Sequence, residues 1–110
     1  MVENMTTQRT RNPGAFGEVL EELMRARDLE PYPENVRRLA ARSGLDGTIL
    51  LRSMIAEEAE DLGPLTGLDT ELDLSYEEMR VLALAYVYSE GTAADARAAA
   101  RKRKEGARCS

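Results

Sequence analysis

The side chains able to do chemistry are unevenly supplied. The chain has no His, which removes the commonest general base, the commonest metal ligand and the side chain that titrates near neutrality. Carboxylates are plentiful, with pairs such as Glu57 and Glu58 and the alternating set Asp69, Glu71 and Asp73. General acid–base work needs a companion base, a nucleophile or a glycine-rich phosphate cradle beside such pairs, and the sequence offers none at a usable spacing. The run DTELDLSYEE alternates acids as a calcium loop does, yet lacks the central Gly and the terminal spacing of an EF-hand. The single Cys, Cys109, has no second thiol with which to close a disulfide or build a metal cluster. These features predict a protein that is not an enzyme and that has no catalytic residue, no cofactor and no metal.

Cationic chemistry remains. Of the 15 basic residues 13 are Arg, a bias over the whole chain that reads mainly as GC-rich coding. Four of them, Arg37, Arg38, Arg42 and Arg52, fall in a single 20-residue stretch. A guanidinium is a planar fork of donors suited to phosphate oxygens and to the acceptor edges of bases. Charge is also distributed unevenly: net −5 overall, −9 over residues 1–90 and +4 over residues 91–110. Between Glu57 and Glu78 stand nine acids and no base, so a nucleic-acid face must turn that stretch away from phosphate.

These residues need elements to position them. At 110 residues and 43% apolar content the chain is one domain with a modest aliphatic core. Residues 1–13, with Arg9 and Arg11, read as a flexible arm. Phe16, Val19, Leu20, Leu23 and Met24 form one helical stripe, with Glu21 and Glu22 spaced to pair with Arg25 and Arg27 on the helix surface. Pro31-Tyr32-Pro33 stops that helix, and Pro33 opens the next, which buries Val36, Leu39 and Ala40 and ends at Gly44. Asp46 can cap a third helix running to about Glu60, and Leu62–Gly67 reads as a turn-rich loop. Ser75 and Glu78 form a capping box for a fourth helix, with Met79, Leu82, Ala83 and Tyr86 inward and with Leu84, Tyr86 and Tyr88 as a candidate dimer surface. It ends near Gly91. Residues 92–110 read as an Ala-rich, basic tail, frayed or solvent-exposed, whose run at 101–104 adds sequence-blind charge. No strand alternation is present, so the fold class is all-α, a bundle of four or five helices over residues 14–91. No apolar run approaches the roughly 20 residues of a membrane span and no secretory pattern opens the chain, so a soluble, cytoplasmic protein with no membrane partner is expected.

The span Val36–Ile55, VRRLAARSGLDGTILLRSMI, carries the functional expectation. Ala40 is small where two helices would cross closely, Gly44 tolerates positive φ four residues later, and Leu45 and Leu50 are apolar where the second helix would bury against the first. The run resembles the core of the Cro/repressor-like, or XRE-type, helix-turn-helix family, matched here by Leu39, Ala40, Ser43, Gly44 and Leu45. It departs from the pattern at Pro31-Tyr32-Pro33, and at Ser53, where an apolar residue is usual. The resemblance implies a small bacterial transcriptional regulator that binds double-stranded DNA as a homodimer. Arg37, Arg38 and Arg42 would then hold phosphates, while Thr48, Leu51 and Arg52 face the bases, among outward positions that also include Asp46, Gly47 and Ile55. The alternative is a helical interaction module, antitoxin-like or anti-regulatory, in which Leu51 and Ile55, ringed by acids, meet a protein partner instead of DNA.

Overall fold

The computed structural model describes residues 14–56 and 60–109, with side chains as far as residue 102 in the last helix. Every regular element among these residues is helical: α1 Ala15–Arg25, α2 Pro33–Ser43, α3 Gly47–Ile55, α4 Thr66–Leu72, α5 Tyr76–Tyr88 and α6 Ala93–Cys109. The fold is all-α, as expected, with six helices in place of four or five. No described helix is long and apolar enough to cross a membrane. The expected arm at 1–13, the acids Glu57 and Glu58, and the side chains of Arg103 and Lys104 lie outside what is described.

Helix α1 organises the molecule. Phe16, Val19, Leu20, Leu23 and Met24 are all buried, and α1 packs against α3, α5 and α6, while α2 packs against α3 and α4. The helix ends follow the chain's local chemistry. Pro33 sits in the first turn of α2, where its missing N–H costs nothing. Gly44 takes the left-handed conformation, φ 76°, after the last turn. The Leu45 N–H then reaches back to the Ala40 carbonyl at 2.8 Å and the Gly44 N–H to that of Ala41 at 3.4 Å, closing a Schellman motif. At the start of α5, the Ser75 hydroxyl accepts the Glu78 N–H and the Glu78 carboxylate accepts the Ser75 N–H, the capping box that the sequence predicts.

Three expectations are corrected. Helix α3 stops at Ile55, not near Glu60, and Ala56 is extended. Ser53 is fully buried and its hydroxyl accepts the Glu60 N–H at 3.0 Å, a contact that a helix continued to Glu60 would hold about two turns apart. Within the segment expected as loop, α4 forms at Thr66, because Leu68 and Leu72 at i, i+4 bury against the core. Gly67 does not break this helix but lets it approach: a Cβ there would lie 2.1 Å from the Ser43 carbonyl oxygen at the end of α2.

The third correction concerns the Ala-rich segment, which is not a separate exposed tail. Ala96, Ala99 and Ala100 are buried where α6 packs on α1 and α5. Small side chains allow close approach without a large apolar face. Thr92 and Asp95 cap the helix reciprocally, the Glu18 carboxylate accepts the Ala93 N–H at 3.1 Å, and Arg97 reaches Glu22 at 3.4 Å.

Candidate nucleic-acid interface

The cationic residues singled out by the sequence sit on α2 and α3, joined by Gly44, Leu45 and Asp46. Asp46 caps α3: one carboxylate oxygen accepts the Thr48 N–H at 2.9 Å and the Ile49 N–H at 3.0 Å. Its charge is thus spent on the first turn of the helix, where a negative group is favoured. Leu50, Ser53 and Met54 face the core. The outward stripe, at i, i+4 and i+7, is Thr48, Arg52 and Ile55, all exposed.

Leu51, expected on this stripe, is half-buried and packs against the core. Ile55 takes the outward apolar position and is 69% exposed. Helical phase explains the exchange, because Ser53 and Met54 turn inward with Leu50 and rotate Leu51 toward the flank.

The three arginines of α2 are exposed but point to two flanks. Arg37 lies beside the start of α3, where its Cγ would be 3.3 Å from a Cβ placed on Gly47. Gly47 therefore lets the Arg37 stem lie against the helix that carries Thr48 and Arg52. Arg38 and Arg42 lean the other way, edging a groove of about 230 Å³ against α4 with Leu29, Leu39 and Leu72. Arg42 is 3.7 Å from Glu71 of α4, whereas Arg37 and Arg38 make no ion pair among the described residues.

Arg52 is 56% exposed and held side-on by Glu60. Its Nε donates to one carboxylate oxygen at 2.7 Å and an Nη to the other at 2.8 Å. The hydrogen bonds from Arg52 hold the Glu60 carboxyl below its ordinary range, and the same bonds raise the guanidinium further. Glu60 was visible in sequence only as one of nine acids. Its closeness to Arg52 depends on the Ser53 hydroxyl that turns the chain, a link that helical periodicity does not carry.

The acidic stretch is partly neutralised within the fold. Glu60 is spent on Arg52, Glu71 stands by Arg42, and Glu78 is buried against Arg27. The Arg27 pairing is a correction: Arg25 pairs with Glu22 at 2.9 Å and Glu21 at 3.7 Å, as the spacing predicts, while Arg27, in the turn after α1, pairs with Glu78, 51 residues away.

No protein-family model, no curated protein and no solved structure matches this chain. The work of the α2–α3 surface has to follow from its own chemistry.

Proposed function

We propose that the chain is a small non-enzymatic DNA-binding regulator of the Cro/repressor-like kind, with α2 and α3 as its helix-turn-helix. One observation carries the reading. Arg37, exposed and without an ion pair among the described residues, lays its side-chain stem against the first turn of α3, beside a stripe of a hydroxyl, a guanidinium and an apolar side chain: Thr48, Arg52 and Ile55. That is a phosphate-binding group next to a base-reading set, on one pair of helices. Helix α2 crosses the backbone, with Arg37 on the flank beside α3 and Arg38 and Arg42 on the other flank supplying charge toward phosphates, Arg42 there shared with Glu71. Helix α3 enters the major groove, where Ile55 suits a thymine methyl.

A helix of nine residues reads only a few base pairs, so the partner is a second copy on a twofold site. The exposed face of α5 supplies its contact. Tyr76, Leu84, Val87 and Tyr88 are exposed there, with Glu77 and Arg80 beside them. A stripe with Tyr at both ends and Leu84 and Val87 between them offers an apolar surface to an antiparallel copy of itself. Tyr86, expected both on the inner stripe and on this surface, takes the inner place: it packs on Phe16 at 5.5 Å between ring centroids and its hydroxyl accepts the Leu62 N–H.

The test is fluorescence anisotropy on a random duplex at several salt concentrations. Binding should fall steeply with salt, and Arg38→Ala should weaken all sequences alike while lowering the slope by about one phosphate contact. No binding to duplex at any salt would favour the interaction-module alternative, for which exposed Ile55 is the supporting feature.

A further inference from the structure

The bond between Arg52 and Glu60 leaves the guanidinium half used. Of its five N–H donors, one on Nε and one on an Nη are given to the carboxylate. No other hydrogen bond from Arg52 is present among the described residues. A side-on contact of this kind occupies one edge of the fork and leaves the outer edge, with one donor from each Nη, facing away from Glu60. The outer edge is the pair that fits two adjacent acceptors, and in the major groove guanine alone presents two, O6 and N7.

The charge of the pair points the same way. Arg52 with Glu60 has no net charge, so it neutralises no phosphate and is repelled by none of the uncharged base edges. Arg37 and Arg38, which make no ion pair among the described residues, are suited to phosphate for the opposite reason. The pair is also held in place: the Glu60 backbone is tied to the Ser53 hydroxyl, and Ser53 is buried in the core. An arginine fixed in one rotamer before binding loses less side-chain freedom on contact.

We infer that Glu60 is a positioning residue which holds Arg52 as a preformed guanine reader, so that the α3 surface selects a guanine opposite Arg52. The inference rests on the proposed DNA-binding role and adds the base, the reading atoms and the residue that aims them. Glu60 touches no base in this account; it acts through Arg52.

The experiment is selection of bound duplexes from a random-core library by the full chain, followed by anisotropy on the selected duplex and on its single-base variants. Wild type, Arg52→Ala, Glu60→Gln and the double variant are compared. Wild type should prefer guanine at one position of each half-site by roughly 5- to 150-fold, the range for one bidentate contact. Arg52→Ala should erase that preference; it also leaves the Glu60 carboxylate without its partner, so binding to every duplex weakens, while the preferences at the other positions stay unchanged. Glu60→Gln removes one negative charge and so tightens binding to every duplex. The readout is therefore the ratio of guanine to other bases, which should drop several-fold. That drop should be absent in the Arg52→Ala background, an interdependence that a purely structural role of Glu60 would not produce.

A rise in the guanine ratio for Glu60→Gln would overturn the inference, because Glu60 would then be a competitor for Arg52. A selected sequence unchanged by Arg52→Ala would overturn it too, while leaving the DNA-binding role standing. Failure of wild type to select or bind any duplex would remove both.

Discussion

Arg27 and Arg52 each grip a glutamate with two hydrogen bonds, and the surroundings of the two pairs are opposite. Arg27 is 14% exposed and Glu78 fully buried, whereas Arg52 and Glu60 are 56% and 43% exposed. Arg27 meets its carboxylate end-on through both Nη atoms, at 2.9 and 2.7 Å. Its other donors go to the carbonyls of Leu23, Leu72 and Asp73, so all five are satisfied. That fork ties the end of α1 to the end of α4 and the start of α5, and has nothing left to offer a ligand. Arg52 meets Glu60 side-on and keeps three donors for solvent or for a base. The same pair of residue types thus holds the fold together in one region and equips a surface in the other. Burial and the number of spent donors tell them apart.

Removing each arginine in turn should give the largest contrast between the two pairs. Arg27→Met should destabilise the protein by about 3–5 kcal/mol in urea unfolding, because it strands a buried carboxylate. Arg52→Ala should leave the unfolding midpoint where it was, since exposed pairs contribute little. A loss from Arg27→Met no larger than that from Arg52→Ala would erase the distinction.

The α2–α4 contact beneath the arginines of α2 gives the next largest effect. Gly67→Ala drives a methyl into the Ser43 carbonyl and should cost about 1–3 kcal/mol by the same measurement. Gly44→Ala meets no atom within 4 Å and carries only the left-handed penalty, about 1–2 kcal/mol.

Acid separates the two pairs as well. Burial alone would raise the Glu78 carboxyl, but the Arg27 hydrogen bonds and the Ser75 backbone N–H outweigh it and hold the group below its ordinary range. A carboxyl depressed in the folded state adds stability above the unfolded value, about pH 4.3, that is lost as pH falls through the folded value. Unfolding free energy should therefore decline on acidification below about pH 4, and Glu78→Gln should flatten that decline. The smallest effect belongs to Glu60→Gln: that carboxyl is also held low, but its pair is exposed, so the acid decline should be only slightly flatter than in wild type.

Much of the fold was legible because it rests on local rules. Gly44, Asp46, the Ser75–Glu78 box and the α1 stripe each act within a few residues of themselves, and periodicity finds them. The rest depends on contacts distant in sequence. Arg27 reads as a helix-surface charge until the Asp73 backbone turns left-handed, φ 53°, and presents its carbonyl beside Glu78. Gly67 reads as a breaker until the end of α2 lies against it. Docking of α6 through three alanines has no hydrophobic period large enough to announce it. At the site, the exposed arginines were legible as residue types. Leu51 turned inward and Glu60 became Arg52's partner through Ser53, a buried hydroxyl where the pattern leads one to expect a hydrocarbon.

The claim that α2 and α3 meet DNA is tested most directly by amide chemical-shift mapping of the full chain with a random duplex. Perturbations should concentrate at residues 37–42, at 47–55 and at Glu60, with α5 and the buried Arg27 corner unmoved at low occupancy. Perturbations confined to residues 97–109, or none at all, would contradict it.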